Sequence, residues 1–137
     1  MAEHADDDPV ARARTLAEDD PYCGHLGIEL VDIGSGTATT ELTITEDLLN
    51  FHGTPHGGAV YSVADAAFAA ASNSHGDAAF ALETNISYLA PVEVGETLTA
   101  TATETHAGGR TAEYQITVFG PDDERIATFR GRVYKPG

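Results

Sequence analysis

The residues best placed to do chemistry lie in two short stretches. One is the run Asn50-Phe-His-Gly-Thr-Pro-His-Gly-Gly58, and the other is Asp65 in Val63-Ala-Asp-Ala-Ala67. A carboxylate held in a cleft can serve as a general base or as a nucleophile. Gly57 and Gly58 stand where a helix is predicted to begin, and helix starts present free backbone N–H groups and a positive dipole end. Glycine also lets a ligand approach that backbone closely. Such N–H groups can bind the oxygen of a polarised carbonyl, as an oxyanion hole does. His56 and Asn50 add side chains able to hold the group in place. Each feature alone has a plain structural account: a Gly-Gly pair shapes a turn, and single charges on amphipathic helices are common. Their spacing is what points to a site. His52 and His56 are four apart, but Gly53, Thr54 and Pro55 between them disfavour a shared helical face. No glutamate completes an H-E-x-x-H pattern and no cysteine is near, so neither a metal site nor a cofactor is expected.

The surrounding sequence must position these groups. Residues 9–20 predict a short helix with Pro9 in its first turn and Pro21 as its stop. Residues 26–33 read as a strand, and Gly34-Ser-Gly36 as a turn. Residues 37–45 alternate, with Ala38, Thr40, Leu42 and Ile44 on one face, which predicts a half-buried strand pairing back as a hairpin. Residues 46–57 are loop-like. Residues 58–74 are alanine-rich, free of internal Gly or Pro, and apolar around most of the circumference, which predicts a buried helix. Gly58, Tyr61, Ser62, Ala69 and Ser72 share the face of Asp65, the one wetter stripe. Four strands follow, at 79–89, 97–106, 111–119 and 125–134, the last three joined by short turns. Short connections imply antiparallel neighbours. The class is α+β, with one sheet of about six strands covering one long helix.

Helix geometry then constrains the chemistry. Gly57 and Asp65 are eight residues apart, or roughly 12 Å along a helix axis. One carbonyl cannot lie about 3 Å from both groups of the same chain. If both act on one substrate, two antiparallel copies of the helix meet and Asp65 comes from the partner. A homodimer with two equivalent sites is therefore expected.

The run from Asn50 to Ala69 resembles the PaaI-like (phenylacetic acid degradation) thioesterases of the hotdog superfamily, as do Asn73-Ser-His-Gly76, Asn85-Ile-Ser-Tyr-Leu-Ala-Pro91, Gly95-Glu-Thr-Leu98 and Phe129-Arg-Gly131. The resemblance spans about residues 24–135. It implies a sheet wrapped around a central helix, hydrolysis of acyl-CoA thioesters without metal, and a homotetramer built from two dimers. It carries the base or nucleophile onto Asp65, the carbonyl-binding N–H onto Gly57, and holding roles onto His56 and Asn50. Gly58, Tyr61 and Ser62 would line the substrate site. Some relatives hold the water with a serine on the strand after the helix; here that position corresponds to Ala81, with Thr84 a possible substitute. CoA phosphates call for cations, and Arg110, Arg130, Arg132 and Lys135 are the candidates. Aryl-acetyl and medium-chain acyl groups both fit the resemblance. The rival readings are a hotdog acyl-CoA hydratase or dehydratase and a non-catalytic acyl-CoA-binding module.

Composition sets the outer limits. At 137 residues the chain fits one domain, read as an N-terminal tail and short helix over 1–23 and a thioesterase domain over 24–137. Cys23 is the only cysteine, which excludes an internal disulfide. No run reaches the roughly 20 apolar residues of a membrane span. The start of the sequence lacks the basic and apolar regions of a signal peptide, so a cytoplasmic location is expected. Acidic residues number 22 against 7 basic ones, a net charge of −15, which repels nucleic acid and anionic membrane. Lys135 is the only lysine and the acids are spread along the chain. That pattern favours a surface adapted to a salt-rich cytosol over an acidic docking patch for a basic partner. Circular dichroism melts over a salt series should therefore lose cooperativity at low ionic strength, where self-repulsion is unscreened. A fully cooperative melt there would count against salt adaptation.

Overall fold

The computed structural model describes residues 8–137. It contains helices α1 (Pro9–Glu18), α2 (Pro21–Leu26) and α3 (Gly57–Ser72). Its strands are β1 (Glu29–Gly34), β2 (Thr37–Thr43), β3 (Phe80–Tyr88), β4 (Thr97–Ala107), β5 (Thr111–Phe119) and β6 (Arg125–Tyr134). The strands form one antiparallel sheet in the order β1-β2-β4-β5-β6-β3. The sheet covers α3, as the predicted α+β hotdog arrangement requires.

Two local expectations change. Pro21 does not merely stop a helix. It opens α2, with Asp20 as N-cap accepting a 3.0 Å hydrogen bond from the Cys23 N–H. Proline at the first helical position lacks only an N–H that would be unpaired there anyway. Leu26 and Gly27 therefore end α2, Gly27 adopting φ +87°, and the first strand starts at Glu29 rather than Leu26. The N-terminal helices are part of the main core: Ala13 is buried, and Val10, Ala17 and Cys23 pack against it.

Period-two alternation builds the inner face of the sheet. Ala38, Thr40 and Leu42 of β2 point inward, as do Leu98, Ala100 and Ala102 of β4. Tyr114, Ile116 and Val118 of β5 join them, with Phe129 and Val133 of β6. Thr40 is buried without penalty because its hydroxyl donates to the Val63 carbonyl at 2.7 Å. The outer face is polar and has a row of small hydroxyl side chains across it. Thr39, Thr101, Thr117, Thr128 and Ser87 pair in one row across β2, β4, β5, β6 and β3.

A second polar cluster closes the far end of α3. Ser74 accepts from the Gly36 N–H at 2.7 Å and donates to the Ala71 carbonyl. His75 Nε2 lies 2.9 Å from Glu104 Oε2, which also accepts from the Tyr114 hydroxyl at 2.6 Å. These bonds join the β1–β2 turn and β4 to the end of the helix.

Gly131 of β6 sets the depth of α3. A Cβ there would lie 2.5–2.8 Å from the Phe68 ring. That ring is 2% exposed and is held between Tyr114 and Phe129, at centroid distances of 5.9 and 5.7 Å. It has nowhere to move. Gly131→Ala is expected to lower stability by about 1–3 kcal/mol through overpacking, read as a lower urea midpoint. An unchanged midpoint would show that the ring gives way freely.

Candidate active site

The loop before α3 is tied by its own residues. The Asn50 side-chain oxygen accepts from the backbone N–H groups of His52 and Thr54, at 2.9 and 3.1 Å, and from the Thr54 hydroxyl at 3.2 Å. The Asn50 N–H donates to the Thr54 carbonyl, and the Gly53 N–H donates back to the Asn50 carbonyl. Asn50 thus shapes the loop and commits its acceptor oxygen there. His56 is the N-cap of α3, and its Nδ1 accepts from the Gly58 N–H at 2.8 Å. An accepting Nδ1 requires the ring proton at Nε2. The Ala59 N–H is taken by the His56 carbonyl at 3.0 Å. Among the described residues the Gly57 N–H has no partner, so it is the donor left open at the helix start.

Asp65 lies two turns further along. It is half-buried, and burial raises its pKa above the ordinary aspartate range, with the Asp20 carboxylate adding to the rise. Asp20 comes from α2, which lies over α3. The Tyr22 hydroxyl and Ser62 Oγ share a 2.8 Å hydrogen bond that pins the two helices together. Burial, Asp20 and Asp65 push the Cys23 thiol up to about 11, which disfavours its thiolate at neutral pH. The stripe around Asp65 is consequently drier than its sequence implies. Ser62 is covered by Tyr22, Ser72 is buried and donates to the Ala69 carbonyl, and only Gly58 and Ala69 of the stripe are exposed.

A cavity of about 240 Å³ lies under α1 and α2 and is lined by Leu16, Ala17, Cys23, Ile28, Ala66 and Ala70, among others. Ala66 and Ala69, both on its wall, flank Asp65 on the helix. A second cavity of about 240 Å³ opens at the helix start, against Tyr22, Leu26, His56 and Gly58.

The remaining sequence-predicted residues divide. Tyr61 stays near the site, its hydroxyl sharing a 2.8 Å hydrogen bond with Thr84 of β3. Thr84 is thereby occupied by its own chain. Ala81 sits exposed on β3 opposite Val133. Arg130 and Arg132 project from the outer face of the sheet, each 3.9 Å from a carboxylate, Glu113 and Glu83 respectively. Arg110 donates to the Pro136 carbonyl at 3.4 Å. Within one protomer none of these arginines reaches the α3 stripe. The described residues contain no cluster of three or more His, Cys, Asp or Glu able to hold a metal ion. Sequence reasoning gave no role to Tyr22, Asp20 and Tyr88. They reach the site from α2 and the end of β3, contacts that no local spacing reveals.

A six-stranded antiparallel sheet wrapped around one long helix is the hotdog fold, and the open N–H at the helix start and the half-buried carboxylate on that same helix are its candidate reactive groups. The sequence profile of the thioesterase superfamily matches residues 52–127, and the chain belongs to that superfamily. It is 39% identical over 125 residues to the acyl-coenzyme A thioesterase PaaI of Escherichia coli K12, covering 91% of this chain and 89% of that one. It is 34% identical over 108 residues to the 1,4-dihydroxy-2-naphthoyl-CoA hydrolase of Listeria monocytogenes, covering 77% and 87%. The E. coli PaaI structure superposes with a TM-score of 0.90 at 36% identity, covering 98% and 97% of the two chains. The TT0310 protein of Thermus thermophilus gives 0.82 at 37%, covering 85% and 97%.

The Asp20 carboxylate is one of the two causes of the raised Asp65 pKa, so removing its charge should lower it. Asn also keeps the α2 N-cap. In Asp20→Asn, the Asp65 carboxyl should titrate at lower pH than in the wild type, as followed by carboxyl-carbon NMR. An unmoved midpoint would leave burial as the sole cause.

Proposed function

We propose that this chain hydrolyses acyl-CoA thioesters to free acid and CoA, at two equivalent sites formed across a homodimer. The carrying observation is the single open donor at Gly57, set against a half-buried Asp65 eight residues along the same helix. The Gly57 N–H would donate a hydrogen bond to the thioester oxygen as negative charge develops on it. Asp65 of the partner subunit would either take a proton from water, whose oxygen attacks the carbonyl carbon, or attack that carbon itself. In the first route the tetrahedral intermediate collapses, the C–S bond breaks, and the CoA sulfur leaves with a proton. In the second, the Asp65 oxygen bonds to the carbonyl carbon, the C–S bond breaks and CoA leaves as its thiolate. Water then cleaves the acyl-aspartyl anhydride, releasing the free acid and regenerating the Asp65 carboxylate, while the water's remaining proton goes to the thiolate. The raised Asp65 pKa makes the carboxylate a stronger base.

The shape of β3 supports the dimer. It bonds to β6 on one side only, and Phe80, Leu82, Tyr88 and Leu89 along it or just after it are all more than half exposed. An apolar edge strand is a template for pairing. Two-fold antiparallel pairing of β3 with its copy would set the two α3 helices side by side in opposite directions, bringing Gly57 of one protomer toward Asp65 of the partner subunit. Two such dimers would make the tetramer implied by the family. The cavity beside Asp65 suits the acyl group. A 150 Å³ apolar cavity holds benzene, so 240 Å³ admits a phenylacetyl or a medium-length chain. No helix among the described residues is long and apolar enough to cross a membrane, and we place the enzyme in a salt-rich cytosol.

Asp65→Asn provides the test, assayed by thiol release from a panel of acyl-CoAs in high salt. Turnover should fall by at least about 1,000-fold. Near-normal release would sink the assignment. Stability should move the other way. A carboxyl whose folded pKa exceeds its unfolded value costs stability once pH rises above the unfolded pKa, in full above the folded one. The variant should therefore melt higher than wild type at neutral pH, with the gain vanishing below the ordinary aspartate range.

A further inference from the structure

An open N–H stabilises a developing oxyanion only if it is aimed, and one side chain outside the loop and helix bears on its aim. Tyr88, the last residue of β3, donates its hydroxyl proton to the Gly57 carbonyl at 2.9 Å. Its ring lies against the same residue: a Cβ on Gly57 would meet the phenol oxygen at 3.2 Å and ring carbons at 3.3 and 3.5 Å. The next N–H along, that of Gly58, is bonded to His56 Nδ1 at 2.8 Å, and a Cβ on Gly58 would lie 2.9 Å from that nitrogen. The Gly57–Gly58 peptide is thus gripped at both ends, its oxygen by Tyr88 and its N–H by His56. The two glycines are what let both side chains close in. Such a chain of hydrogen bonds polarises and stiffens the peptide unit it passes through. The Gly57 N–H lies in the preceding His56–Gly57 peptide, whose oxygen accepts from the Ala59 N–H at 3.0 Å. With the peptide planes on both sides of the Gly57 Cα tied, that N–H keeps one direction.

We infer that Tyr88 is a positioning residue for the Gly57 N–H, so that β3 sets the carbonyl-polarising donor as well as bordering the site. The inference rests on the thioesterase reading above. A tyrosine hydroxyl is protonated at neutral pH, and partial desolvation with the neighbouring Tyr61 raises the Tyr88 pKa further.

Tyr88→Phe keeps the ring and removes only the hydroxyl. With a loosened donor, kcat should fall roughly ten-fold while KM stays within about two-fold. Light scattering should give the wild-type oligomer size, and the melting temperature should stay close to wild type. A second readout isolates carbonyl polarisation. In the Asp65→Asn background an acyl-CoA remains bound and uncleaved, and its thioester C=O stretch can be read by difference infrared spectroscopy. That stretch should shift to lower wavenumber on binding, and should move back toward the free value in Asp65→Asn/Tyr88→Phe. An unchanged kcat, an identical carbonyl stretch in the two backgrounds, or a kcat loss matched by dissociation or a lowered melting temperature would each overturn the assignment. Absence of turnover by the wild type on every acyl-CoA would instead overturn the thioesterase reading, and Tyr88 with it.

Discussion

The sixteen residues of α3 can lie flat on the sheet only because β6 withdraws its side chain at Gly131 and Phe68 fills the gap. Everything the site needs follows from that contact. A helix seated at one depth has one rotation, because Val63, Ala64, Ala67 and Ala71 leave no exposed surface on the sheet side. That rotation puts Asp65 on the opposite flank, under α2. It also brings the first turn of the helix within hydrogen-bond reach of the end of β3. Close packing makes these positions mutually dependent, since a packed interior has no slack to absorb a shift of an ångström.

The polar groups around the helix are divided between holding and reacting. Asn50 commits its side-chain oxygen to the loop, His56 its Nδ1 to the cap, and Ser62 its hydroxyl to α2. The Gly57 N–H and the Asp65 carboxylate are bound in none of these ties. The carboxylate is kept in a place where its charge is unfavourable, between apolar walls and another acid. A carboxyl raised by burial and by a neighbouring acid is a candidate functional group on physical grounds.

Strands and the central helix were legible because each carries its own period. Residues 37–45 alternate cleanly, and their inward set Ala38, Thr40, Leu42 and Ile44 is the buried set. The apolar circumference of α3 likewise identified the covered element. The helix arithmetic between Gly57 and Asp65 holds because both lie on one uninterrupted helix. The misreadings occurred where structure depends on distant partners. Pro21 looked like a terminator because its use as the first residue of a new helix depends on the Asp20 cap. Ser62 looked wet because Tyr22, 40 residues earlier, covers it. The bonds of Asn50 in its own loop reach only two to four residues, whereas the grip of Tyr88 on Gly57 spans 31 residues and has no local signature. The arginines of β6 were visible as rare cations, but strand alternation places them on the face away from the helix.

The row of hydroxyls from Thr39 to Ser87 bears on how the outer face of the sheet meets other matter. Threonine and serine have a single freely chosen side-chain torsion before the hydroxyl, whereas lysine has four and loses about 2 kcal/mol of rotational freedom when immobilised. β-branching has already restricted the threonines to few rotamers. Laying another surface along this row would therefore cost little side-chain entropy, unlike covering the flanking Arg130, Arg132 and Glu113, and the hydroxyls could exchange water for protein partners with little net penalty. A chain that carries a single lysine has thus made its broadest flat surface one that is easily wetted and just as easily covered.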